Sequence, residues 1–279
     1  MFELRFMRYL AIFLLPALCG AVPTVQPALD QGYRQLYDLD FTGAHQTFHE
    51  FESTHPADPL GPASDAAAYL FSEFDRLHIL QSEFFTHDQH FITDHKLTPD
   101  PRLKQQFEAA LASAHTLAGR APNDKNSQFA EILASGLESD YLALIEKRYM
   151  PSLEEMKTGR ATAEKLLAAD PTFYDAWLAV GVENYMLSVK PAAVRFFLRL
   201  SGAETDRATG IAKLKLTAEK GHYLAPFARL LLGVAALRDR DTGTASGILT
   251  DLAREYPHNP LYRQELARLN PVAARSLTN

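Results

Sequence analysis

The residue types best suited to chemistry crowd into one part of the chain. Eight of the ten histidines fall between His45 and His115, and residues 86–95 gather His87, Asp88, His90, Asp94 and His95. Imidazole and carboxylate are good ligands for zinc and similar ions, and a loop can fold three such groups around one ion. His87, His90 and His95 are therefore the candidate metal ligands, although their spacing fits no established metal motif and HExxH is absent. Signatures of catalysis are missing as well. There is no Gly-x-Ser-x-Gly elbow, no phosphate-binding loop and no dinucleotide glycine fingerprint. The carboxylate pairs Glu154-Glu155 and Asp239/Asp241 fall at exposed helix or turn positions, where a solvated charge is the ordinary state. Glu183, beside Asn184 and Tyr185 in an otherwise apolar segment, reads as a buried acid with a raised pKa or, more often for such a residue, as one paired in the core or lining a groove. The expectation is a protein that is not an enzyme and needs no cofactor.

The elements that carry these residues are helices. Ala, Leu, Glu and Lys are abundant, and alternating β-branched runs are few. One spacing occurs twice: Gly233, Ala245, Leu249 and Pro257 are separated by 12, 4 and 8 residues, and so are Gly32, Ala44, Phe48 and Pro56. In a helical hairpin a small residue on the first helix and another on the second let the backbones approach. The larger residue four positions on lies along the same face, and proline ends the second helix. A third fragment, Trp177-x-x-Val180-Gly181, follows the terminator that ends at Pro171.

These three fragments resemble the tetratricopeptide repeat, whose pattern has small residues facing across a hairpin and a proline terminator. The resemblance implies an all-α, helical-hairpin repeat (a tetratricopeptide-like α-solenoid) of about a dozen helices, with one domain over residues 22–279. It also implies a concave face, made mostly by first helices, that holds a protein or peptide partner. The positions that map there are Tyr33, Arg34, Tyr37, Glu183, Asn184 and Tyr185. The pattern predicts hairpins over 28–54 and 226–257, a long helix from Ser64 to Phe85 with Ser64 as its N-cap, and a helix pair over 102–148. Between Ser188 and Ser201, Lys190, Arg195 and Arg199 alternate with Val194, Phe196, Phe197 and Leu198. That tract reads as a short buried helix with snorkelling basic residues, rather than one that touches a membrane or a partner.

Residues 1–21 resemble an export signal. Arg5 and Arg8 precede an apolar stretch from Tyr9 to Leu18, and Cys19-Gly20-Ala21 supplies small residues for cleavage. Cleavage near Ala21 would place the protein in the periplasm or cell envelope without its single cysteine. Leu18 stands where a lipoprotein signal needs a small residue, so membrane association is expected only through an uncleaved or lipidated N-terminus. A net charge of −6 leaves no electrostatic footprint for nucleic acid. A ligand- or metal-binding envelope protein built on the His/Asp-rich loop 86–95 is the alternative role.

Overall fold

The structure is a computed structural model that describes residues 27–80, 97–190, 192–200 and 202–269. His87, His90, His95 and the export-type segment lie outside the described residues. Among the described residues twelve α-helices follow one another: α1 (Pro27–Tyr37), α2 (Phe41–Thr54), α3 (Leu60–Arg76), α4 (Pro101–Ala118), α5 (Lys125–Asp140), α6 (Tyr149–Ala169), α7 (Trp177–Ser188), α8 (Ala192–Leu200), α9 (Arg207–Lys220), α10 (Ala225–Arg238), α11 (Thr242–Glu255) and α12 (Pro260–Leu269). No strand occurs among the described residues. A π-turn over Tyr141–Ile145 continues α5, and a 3-10 turn over Tyr174–Ala176 leads into α7.

The two segments with matching spacing fold alike, and the reason is visible in their turns. At the end of α1, Leu39 adopts a left-handed conformation (φ 62°), and at the end of α10 Arg240 does the same (φ 61°). Asp40 N then donates to Gln35 O, and Asp241 N to Ala236 O, each at 2.9 Å. With Leu39 N to Leu36 O and Arg240 N to Leu237 O, these bonds form the Schellman cap, whose left-handed position usually employs glycine. The same aspartate starts the second helix: Asp40 Oδ1 accepts from Gly43 N at 2.9 Å and Asp241 Oδ1 from Thr244 N at 3.0 Å. One residue therefore finishes one helix and opens the next, which keeps the hairpin tight. Both second helices end on an X-Pro pair. His55 N donates to Phe51 O and Tyr256 N to Leu252 O, and the turn beyond is closed by Asp58 N to His55 O and Asn259 N to Tyr256 O. The terminator at Pro171 repeats this turn through Phe173 N and Asp170 O.

Each helix packs mainly on its sequence neighbours, with one exception. α7 pairs with α9, and α8 stands to the side of both. Gly181 and Gly210 permit this close pairing: a Cβ on Gly210 would lie 2.5 Å from Tyr185 N, and one on Gly181 would lie 3.0 Å from Leu214 N. A single core runs from Leu29 to Tyr262, and a small separate cluster of Leu153, Leu187 and Ala203 lies beneath α8.

The ends of the stack meet. Tyr33 on α1 stacks on Tyr223, in the turn before α10, at 4.8 Å between ring centroids, and Tyr37 packs on Tyr256 at 5.4 Å. Tyr37 donates its hydroxyl to Tyr223 O, and Asn259 Nδ2 donates to Tyr37 O, both at 2.9 Å. Asp38 Oδ1 accepts from His258 N at 3.1 Å.

Local readings change in three places. The helix expected over Ser64–Phe85 begins at Leu60, because Pro62 tolerates a first turn, where its missing N–H has no partner to lose. It ends at Arg76, where Leu77 N donates to Glu73 O and His78 turns left-handed (φ 58°). Ser64 is buried instead, donating to the Tyr33 hydroxyl at 3.1 Å. The tract 188–201 is not a buried helix: Val194, Phe196 and Leu200 are 43%, 60% and 71% exposed.

Candidate functional site

Tyr33 and Tyr37 are buried, covered by Tyr223 before α10 and by Tyr256 at the end of α11. Tyr33 is enclosed by Phe48, Tyr223 and Ser64, and burial pushes its hydroxyl well above the usual range. Phe129 continues the row of rings from Tyr223 to Phe173. What holds Tyr223 in this row is Asp175, a buried acid that the sequence does not single out. Its carboxylate accepts from His222 N and Leu224 N at 2.9 Å and from Tyr223 N at 3.3 Å. Burial raises the Asp175 carboxyl, and these three N–H groups offset part of that rise. Arg34 is exposed and reaches Glu255 O at 3.5 Å.

Glu183, Asn184 and Tyr185 are also interior, each no more than 2% exposed. Glu183 Oε1 accepts from Glu204 N at 3.0 Å, and Asn184 Oδ1 accepts from Asp206 N at 3.1 Å. Asn184 Nδ2 donates to Val180 O and to Glu204 Oε2. Arg160 on α6 completes the group, with Nε 3.0 Å from Glu183 Oε2 and Nη1 3.2 Å from Glu204 Oε1, while Nη2 donates to Gly202 O. Burial raises the Glu183 carboxyl, and the Glu204 N–H and the Arg160 charge pull it back. These residues clamp the chain where it returns from α8 to α9.

The clamp presents α8. Leu198 packs with Met156 onto the Leu153, Leu187 and Ala203 cluster, which seats one side of the helix. Arg195 folds back so that Nη1 donates to Ser188 O and Lys190 O, at 3.2 and 2.9 Å, and caps the end of α7. Phe196 and Leu200, four residues apart and so on one face, point outward. α6, which supplies Leu153 and Met156 to this cluster, opens with Tyr149, 44% exposed, and Met150, 67% exposed. With Val194, Phe196 and Leu200 they make the five large apolar side chains exposed among the described residues. The i, i+4 spacing of Phe196 and Leu200 beside Arg195 and Arg199 is legible in the sequence; that the helix stands outside the stack is not.

An open depression of about 500 Å³ is lined by Arg207, Ala208, Ile211, Ala212 and Lys215, all from α9. A depression walled by one helix offers a face and cannot surround a small molecule. No helix among the described residues is long and apolar enough to cross a membrane. No protein-family model, curated protein or solved structure matches this chain.

Proposed function

We propose that this chain is a non-catalytic interaction scaffold, a tetratricopeptide-like stack of helical hairpins that works after export in the cell envelope. Its partner is a protein segment with an apolar face, which docks on the outward residues of α8 and the start of α6. The observation that carries this reading is the exposure of Phe196 and Leu200 on a helix held outside the main stack, with Met150 exposed at the start of α6. Water gains nothing from such groups, and full burial of each stabilises a complex by about 1.5–3 kcal/mol. A buried aromatic anchor ringed by polar groups is the usual energetic centre of a protein interface. The inner tyrosines favour this site over the concave face, because Tyr33 and Tyr37 are covered by the chain's own C-terminal hairpin.

The test places a photo-reactive side chain at position 196 in cells that naturally express the protein. A discrete protein adduct that disappears on Leu200→Asp supports the reading. Adducts confined to lipid, or protein adducts indifferent to Leu200→Asp, overturn it.

A further inference from the structure

A different cluster sits where α2 crosses α3. Asp65 is buried, its side chain 5% exposed, in a helix–helix seam where an unaccompanied carboxylate is costly. Two histidines from α2 address it. His45 Nδ1 lies 2.5 Å from Asp65 Oδ1, and His49 Nε2 lies 3.0 Å from Asp65 Oδ2. Glu52 follows His49 by three residues and so projects from the same face of α2. One ligand atom each from His49, Glu52 and Asp65 falls within 4.8 Å of the others. Zinc bonds to nitrogen and oxygen are about 2.0–2.2 Å, which puts neighbouring donors on a tetrahedral ion about 3.4 Å apart. The three donors need only small side-chain rotations to meet that spacing.

We propose that His49, Glu52 and Asp65 form a binding site for a zinc-class divalent cation, with His45 as a positioning residue. The division of labour follows from the two Asp65 oxygens. His45 occupies Oδ1 and fixes the carboxylate plane, its ring held against Tyr69 at 4.0 Å between centroids. Oδ2 faces His49. Such an outer hydrogen-bonding partner orients a ligand without touching the ion. One imidazole and two carboxylates suit zinc and its neighbours better than calcium, which takes six or more oxygens. The His49 side chain is 56% exposed, so the site opens to solvent and a fourth ligand can be water.

The experiment titrates the whole protein with zinc chloride by calorimetry, beside variants His49→Gln, Glu52→Gln, His45→Ala and the triple variant His87→Ala/His90→Ala/His95→Ala. One zinc per chain, lost in His49→Gln and in Glu52→Gln and kept in the triple variant, is the expected result. His45→Ala should weaken binding by about 10- to 100-fold without abolishing it. His49→Gln and Glu52→Gln alter solvent-reaching groups, and circular dichroism confirms that each is folded. No zinc uptake, uptake indifferent to His49→Gln and Glu52→Gln, or uptake lost only in the triple variant would each overturn the proposal.

Discussion

Glu183 illustrates how one residue can be prominent in the sequence for a reason other than contact with a partner. Its carboxylate is spent inside the protein, on Arg160 and on Glu204 N. Removing the Glu183 carboxylate leaves Glu204 N without its acceptor and Arg160 with only the exposed-side partners Glu204 and Glu164, so Glu183→Ala should lower stability by about 1–3 kcal/mol, read from urea unfolding. A partner-binding role at Glu183 would instead weaken adduct formation at position 196 with the unfolding midpoint unchanged. Asp140, the last residue of α5, behaves differently. It keeps some contact with solvent, yet burial of its carboxyl pushes it up to about 7. The folded chain then holds a proton that the unfolded chain, with a carboxyl near 3.9, has already lost. Its contribution to stability is fully present below the unfolded value and is lost as pH rises through about 7. Asp140→Asn should therefore raise the melting temperature near pH 8, by about 2 kcal/mol of stability, and change little near pH 4, as thermal melts at the two values will reveal.

At the scale of elements, the matching hairpins are alike in backbone but not in how tightly they close. A Cβ on Gly32 would overlap the Phe48 ring, whereas one on Gly233 would meet Ile248 Cγ2 at 3.6 Å, an ordinary contact. The same substitution should thus act in opposite directions. Gly32→Ala should destabilise by about 1–3 kcal/mol through overpacking. Gly233→Ala should stabilise by about 0.5–1 kcal/mol by lowering the freedom of the unfolded chain. Paired denaturant curves check both signs. The hairpins are legible in the sequence because their spacing encodes local events: Asp40 and Asp241 as caps, Pro56 and Pro257 as stops. The unequal glycines are not, since the pattern treats Phe48 and Leu249 as equivalent fillers. Nor is the position of α8, for nothing within residues 188–201 records that α9 has already taken the place beside α7. His45 and His49, four apart on a helix and three short of Glu52, were open to a reader of the sequence, but Asp65 joins them only through the crossing of α2 and α3.

For the whole molecule, the meeting of first and last hairpins changes what kind of object the stack is. In an open array each unit answers only to its neighbours, and disturbance at one end is felt there alone. Here Tyr37 touches Tyr223, Tyr256 and Asn259 across almost the full described length. Tyr256→Ala should accordingly speed amide hydrogen exchange in α1 as well as in α11, a coupling that exchange mass spectrometry detects. Exchange altered only around α11 would show that the contact carries no such link. The helical character of the chain is written in its composition, but this joining is not, because the tyrosines that make it have the same spacing they would need to line an open groove.

Asn259 is bonded to the backbone of Tyr37, and Tyr223 is lodged against Tyr33. A segment inserted between these partners must leave both pairs in register or part them, whereas α8, which stands to the side of α7 and α9, can change length without entering that circuit.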